Sequence, residues 1–223
     1  FVGAELTILE SVGLVVNPNQ TIALIGGNVT LENAAGITAS GGRVELGGLT
    51  QAGEVLINDN ESLTFPQGIS RGDVTLTEQS RVQTVAEGGG FINVNAKNLE
   101  LSDLSELYTG IAEGTGSPNA QAGDITINAT DSVRLIGSGG IENNPYIFEG
   151  NDYDTAIRNV VGLQPSDVDN PNLGRNSQPN STAIGNSGSI TINTDLLQIS
   201  DRAAIMAKTY GEGNTGNILI RAN

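Results

Sequence analysis

The sequence predicts an all-β fold: a parallel β-solenoid with one long loop excursion. Three observations point to it. First, a glycine followed by a short alternating apolar run occurs seven times, as GNVTL at Gly27, GRVEL at Gly42, GDVTL at Gly72, GFINV at Gly90, GDITI at Gly123, GSITI at Gly188 and GNILI at Gly216. Alternation of apolar and polar residues is the strand period, and β-branched Val, Ile and Thr dominate these runs. Second, the stretch from Gly90 to Gly110 returns 98 residues later, Gly188 to Lys208, with its apolar positions and its Asn and Ser-Asp markers kept in place. Third, only 4% of residues are aromatic, Trp is absent and there are 30 Gly in 223 residues. A globular core of this size draws much of its buried area from aromatics, so this chain must build its interior in thin layers of Val, Ile, Leu and Ala.

Each full copy reads as strand, turn, strand, turn, strand. In the last long copy the strands are expected at 190–193, 197–200 and 204–207. The copy that starts at Gly123 fits with one inserted residue, through Ile125, Ile127, Val133 and Leu135. Val74, Leu76 and Val82 match Leu197, Ile199 and Ile205 at a constant offset of 123, which makes them the second and third strands of a coil. The glycine motifs follow one another at 15, 30, 18, 33, 65 and 28 residues, most of them the length of one coil with loops of varying size. Hairpins explain the pattern poorly, because the Asn-Gly and Asp-Gly dipeptides of tight hairpin turns are missing at these joints. One coil alone buries almost nothing, so its apolar side chains need a neighbour above and below. Ile92, Val94, Leu101, Ile125, Ile127, Ile190, Ile192 and Ile199 are expected to point inward, in a stack of roughly seven to nine coils about 35–45 Å long at ~4.8 Å per layer.

The pattern lapses from Ile141 to Ser187, which holds four of the seven Pro and an Asn-rich run. The chain is read as a single domain, 1–223, with 141–187 as an inserted loop excursion; within it "TAIRNVVGL" is expected to form a short helix and the rest Asn/Pro turns.

Charge narrows the function classes. With 10 basic and 25 acidic residues, a formal −15, the chain lacks the cations that bind phosphate, which excludes a nucleic-acid partner and disfavours an anionic membrane surface. No apolar run approaches the roughly 20 residues that span a bilayer. Zero Cys excludes a disulfide framework and zinc-thiolate sites. The chain opens on Phe1 without an initiator Met or a signal-peptide pattern, and is read as a piece of something larger.

The run Asn19–Leu49, "NQTIALIGGNVTLENAAGITASGGRVELGGL", followed by G-x-[IV]-x-[IV] coils, resembles the filamentous haemagglutinin-type exoproteins of two-partner secretion, above all the large cyanobacterial ones. The resemblance covers Gly13 to about Gly140 and Ser187 to Asn223, and leaves the excursion without a counterpart. It implies a right-handed parallel β-helix, secretion to the cell surface, and export by an outer-membrane β-barrel transporter that reads an N-terminal secretion domain. The chain would then be the stalk region after that domain. Asn17-Pro18-Asn19 is similar to an Asn-Pro-Asn tripeptide of the secretion domain, but Gln20-Thr21 departs from its continuation, so an ordinary turn is the expected reading. The transporter would be met by a region upstream of this chain.

No residue is expected to be catalytic, to bind a cofactor or to hold a metal, and no cofactor is expected. Asn95, Asn128 and Asn193 recur at one place in three coils: either a row of ligands or an Asn ladder at a bend, which is preferred. Ser102-Asp103 and Ser200-Asp201 lack any His to make a nucleophile and base, and read as turn caps. Asp152, Asp154, Asp167 and Asp169 could offer hard oxygens to calcium, but the spacing of a calcium loop is absent and a solvated acidic loop is expected. Tyr146, Phe148 and Tyr153 are either a glycan-stacking platform or, as preferred, anchors of the excursion on the wall.

Repetition without a chemical constellation predicts a structural, adhesin-like exoprotein: a β-helical spacer presenting a binding loop to a surface glycan or protein receptor. One alternative is a β-helix polysaccharide lyase or glycosidase, which would need three or more carboxylates and an Arg converging in one groove. Another is a filament subunit that self-associates end to end through the open ends of the stack.

Overall fold

The computed structural model describes residues 6–8, 13–138, 155–163 and 181–223. Among the described residues there is no helix, and the strands are stacked almost wholly in parallel. The chain visits three files of strands in turn and repeats the circuit, each strand pairing with its counterpart in the next tier. The first file contains Thr21–Gly26, Arg43–Gly48, the first halves of Phe91–Ser102 and Ile125–Ile136, then Ile190–Thr194 and Ile218–Ala222. The second contains Leu6–Ile8, Val29–Leu31, Val74–Leu76, the second halves of the same two long strands, and Leu196–Ser200. The third is a six-stranded sheet of Leu14–Val15, Gly36–Thr38, Arg81–Gln83, Glu106–Ala112, Ala156–Leu163 and Ala204–Thr209. The parallel pairing of successive copies anticipated from the repeat is therefore present.

Register follows the motif. Ile92 pairs with Val44 on one side and Ile125 on the other, Ile125 with Ile190, and Ile190 with Ile218. Because side chains alternate across a strand, keeping one residue in register keeps the whole apolar set on the inner face. One cluster results, with Ile22, Val44, Ile92 and Ile125 from the first file, Leu31, Leu76, Leu101 and Leu135 from the second, and Ile37, Val82, Leu107 and Ile157 from the third. Removing each such side chain from water contributes about 1.5–3 kcal/mol. The motif glycines have their own physical cause. A Cβ on Gly188 would sit 2.0 Å from the carbonyl oxygen of Gly123, and one on Gly216 2.1 Å from that of Gly188. At these two positions the strand is led by glycine because the tier beside it presses its backbone there.

Four expectations change. Seven of the eight residues expected to point inward are fully buried, but Ile199 is 43% exposed; it keeps the register of Leu135, yet among the described residues its strand is the last of its file and has no further strand beside it. The stack is shorter than the glycine motifs suggested. The motifs at Gly27 and Gly72 lead into second-file strands of tiers whose first-file strands are Thr21–Gly26 and Arg43–Gly48, so counting every motif as a coil overcounts. Among the described residues the strands make seven tiers, the first and last incomplete, and six steps of ~4.8 Å give about 29 Å, short of the 35–45 Å expected. The short helix expected in "TAIRNVVGL" is instead the strand Ala156–Leu163, paired in parallel between Glu106–Ala112 and Ala204–Thr209. The span 141–187 thus supplies a rung of the third file, and also Ile184–Asn186, which pairs with Gly116–Gln121.

The fourth change is a projection that the repeat gave no hint of. Between Arg43–Gly48 and Val74–Leu76 the chain leaves the stack and forms an antiparallel hairpin, Leu56–Ile57 against Leu63–Thr64. Its base is pinned by Phe65, whose ring lies so close over Gly47 that a Cβ there would meet it at 2.1 Å. Arg71 lies over that ring, 5.0 Å from its centre. Leu56 and Ile57 remain 52% and 77% exposed.

Candidate functional site

The Asn ladder is real and closed by cations. Asn193 Nδ2 donates to Asn128 Oδ1 at 2.8 Å, and Asn128 Nδ2 reaches Asn95 Oδ1 at 3.4 Å. Arg71 Nη1 donates to Asn95 Oδ1 at 3.1 Å, and Arg221 Nη1 to Asn193 Oδ1 at 3.1 Å. The amides spend their polar atoms on one another, which is the structural rather than the ligand-binding arrangement. The left-handed backbone that a bend would require is absent, since none of the three has a positive φ.

The Ser-Asp pairs lie at turns closed by backbone bonds, Ser105 N–H to the Ser102 carbonyl at 3.1 Å and Ala203 N–H to the Ser200 carbonyl at 3.0 Å, and belong to a wider device. The corner between the second and third files is made in four tiers by two consecutive left-handed residues: Asn33-Ala34, Glu78-Gln79, Asp103-Leu104 and Asp201-Arg202. Non-glycine residues rarely accept this conformation. Stacking satisfies it, because Ala34 N–H donates to the Glu78 carbonyl at 2.7 Å and Gln79 N–H to that of Asp103 at 2.8 Å. Asp103 Oδ2 also accepts from Thr77 Oγ1 at 2.8 Å. An open groove of about 620 Å³ runs beside this corner with Glu78 and Asp103 on its lining. Asn17-Pro18-Asn19 likewise forms a turn, closed by Gln20 N–H on the Asn17 carbonyl, with Asn19 at φ 64°.

A second groove, about 310 Å³, follows the outer wall of the second file. Asp73, Asn98 and Ser132 form a rising chain of bonds: Asn98 Nδ2 to Asp73 Oδ1 at 2.9 Å, and Ser132 Oγ to Asn98 Oδ1 at 2.7 Å. Beside them Arg134 Nη1 pairs with Glu100 Oε2 at 3.2 Å, both side chains more than one-third exposed. The groove offers two carboxylates and one guanidinium, each already engaged with a neighbour. Such a furrow can meet hydroxyl-rich ligands, but it falls short of the three carboxylates with an Arg that the lyase or glycosidase alternative requires.

Two buried charged groups escaped the sequence reading. On the outer face of the third file, Arg158 Nη2 donates to Glu106 Oε2 at 2.9 Å, with Arg81 Nε 3.6 Å from the same oxygen. Tyr108 donates to Gln83 Oε1 at 2.5 Å, and the Arg158 guanidinium lies 4.8 Å above the Tyr108 ring. Glu106, Tyr108 and Arg158 are wholly buried although they sit on the face opposite Leu107 and Ile157. The pattern that could have flagged them is the cross-tier register itself, which sets Arg81 beside Glu106 and Tyr108 beside Arg158. The second group is Glu45, buried beneath the hairpin. Its Oε1 accepts from Asn93 Nδ2 at 2.6 Å and pairs with Arg43 at 3.2 Å. Burial pushes its carboxyl above the ordinary range, partly offset by Asn93, Arg43 and the Leu63 backbone.

Asp152, Asp154, Asp167 and Asp169, and Tyr146, Phe148 and Tyr153, lie outside the described residues. Among the described residues no group of three or more His, Cys, Asp or Glu is placed to hold a metal ion. No family model, no curated protein and no solved structure matches this chain.

Proposed function

We propose that this chain is a length of right-handed parallel β-helix that serves as the rigid, adhesin-like spacer of a secreted cell-surface exoprotein of the filamentous haemagglutinin type. The observation that carries the reading is the in-register parallel pairing of the same motif positions from tier to tier, Val44 to Ile92 to Ile125 to Ile190 to Ile218. Such pairing extends by translation and gains stability with each added copy. Right-handedness follows from the strong preference of parallel crossovers for that hand. The walls support a spacer rather than a reaction vessel, because their amides and carboxylates bond to their equivalents in adjacent tiers. Export would use an outer-membrane β-barrel transporter acting on a region upstream. Receptor contact, glycan or protein, would fall to projections from the stack, of which the hairpin Leu56–Ile57 with Leu63–Thr64 is the one described.

Protease shaving of intact cells that make the protein tests this reading. Peptides from 13–138 and 181–223 should appear in the shaved or culture-medium fraction while a cytosolic marker stays inside. Recovery only after lysis would refute it.

A further inference from the structure

We propose that the hairpin between Thr50 and Ser70 is a pH-dependent flap, held on the outer wall of the first file while Glu45 beneath it is protonated and released as Glu45 ionises. Glu45 is fully buried, although it sits on the outer face of Arg43–Gly48, opposite Val44 and Leu46 of the core. Ala23 and Asn93 stand beside it in the adjacent tiers, and the Leu63 backbone of the hairpin lies against its carboxyl. Oε1 is engaged by Asn93 and Arg43, whereas Oε2 is buried without a hydrogen-bond partner. A neutral carboxyl tolerates that enclosure. An anion loses its water on the side that the hairpin covers, and recovers it only when the hairpin lifts.

The hold of the hairpin on the wall is thin. Its two ends join the stack through Leu49 N–H on the Gly26 carbonyl at 2.8 Å and Gly72 N–H on the Gly48 carbonyl at 2.9 Å. The backbone bonds between those ends, Thr50 to Ser70 and Asn58 to Ser62, stay inside the hairpin. Phe65 on Gly47 secures the root. The tip is held by the Thr21 hydroxyl, which donates to the Glu61 carboxylate, and by Leu63 over Glu45. The charged groups around Glu45 are few. Arg43 of its own strand lies 3.2 Å away and shares its guanidinium with the Phe91 ring, 4.6 Å to the centre. The two adjacent tiers present only uncharged Ala23 and Asn93. On the hairpin Glu54, Asp59 and Glu61 are exposed, and Arg71 at its root is bound to Asn95. Burial outweighs Asn93 and Arg43, and raises the carboxyl above its ordinary value of 4.5. In the released form the carboxyl meets water and returns toward that value. Closure is therefore complete below 4.5 and is lost as pH rises through the higher value of the closed form.

The chain has no Cys, so two can be placed and spin-labelled: Ile57→Cys on the exposed tip, and Thr191→Cys, three tiers along the outward row Glu45, Asn93, Thr126, Thr191. Pulsed electron paramagnetic resonance should give one narrow distance at pH 4 and a growing broad component above it. The ratio of released to closed should rise by up to about tenfold per pH unit, the limit for one proton. In the same labelled background Glu45→Gln should keep the narrow distance at every pH, and Glu61→Gln should keep the rise. A distribution that does not change with pH, or a rise of equal size in Glu45→Gln, would overturn the inference. Loss of the rise in Glu61→Gln would assign the titration to the tip and overturn it as well. Circular dichroism over the same range should stay constant; a β signal that falls with the distance would mean that the whole stack opens, and no flap.

Discussion

Ile192 and Ile220 are partners in register, chemically identical, and differ only in how far they are covered. Ile192 is fully buried between tiers, and Ile220 on the last strand is 42% exposed. Truncation to Ala removes three carbon groups, or about 2.4 kcal/mol of transfer free energy at ~0.8 kcal/mol per group when burial is complete. At Ile192 the neighbouring tiers are held by their own hydrogen bonds and close only partly over the gap. A cavity term therefore adds to the loss, and Ile192→Ala should cost about 3–4 kcal/mol, inside the range for buried Ile→Ala changes. At Ile220 little more than half of that surface is covered and the space opens to solvent, so no cavity forms. Ile220→Ala should then cost roughly 1–1.5 kcal/mol. The difference, about 2 kcal/mol, is a factor of some thirty in the folding equilibrium.

Urea unfolding followed by far-ultraviolet circular dichroism would measure both. The midpoint should fall clearly further for Ile192→Ala, with the m-value unchanged in each. Equal shifts would mean that the two positions share one environment. The tiered stack with an uncovered last strand would then be wrong.

The other expected outcomes follow from single contacts. Gly188→Ala drives a methyl into the Gly123 carbonyl and should lower stability by about 2–3 kcal/mol. Gly68→Ala, at φ +73° with nothing within 4 Å, should cost only the backbone penalty, roughly 1–2 kcal/mol; a thermal melt in which Gly68→Ala proves as damaging would contradict the close glycine stacking. Glu45 has its carboxyl raised chiefly by burial, so its contribution is complete below its unfolded value and is lost as pH rises through the folded one. Glu45→Gln should therefore melt higher than the parent at pH 7, with the advantage shrinking toward pH 4; an advantage that grows on acidification would reverse the assignment. Deleting 141–187 removes Ala156–Leu163, the rung between Glu106–Ala112 and Ala204–Thr209. The deletion chain should lose cooperative melting, whereas an unchanged melt would return this segment to the status of a dispensable loop.

The interior of this protein could be read from its sequence because every tier faces the same surroundings. Val94, Ile127 and Ile192 each touch an equivalent residue on both sides, so one local rule, apolar at every second position after a glycine, is written again for each tier. Ala156–Leu163 was missed because it departs from that rule. It has no leading glycine, and Val160 and Val161 break the alternation. Its signal was cross-tier: Ile157 stands where Leu107 and Ile205 stand. The outer face follows no such rule, since what lies over it changes from one tier to the next. Glu45 is covered by a hairpin that one tier has and its neighbours lack, and Glu106 with Arg158 is buried on a face where strand alternation alone predicts solvent. A repeat can specify only what repeats. The features that make one tier differ from another are therefore where sequence periodicity is silent, and in this fold they are the hairpin at 56–64 and the ion cluster around Glu106.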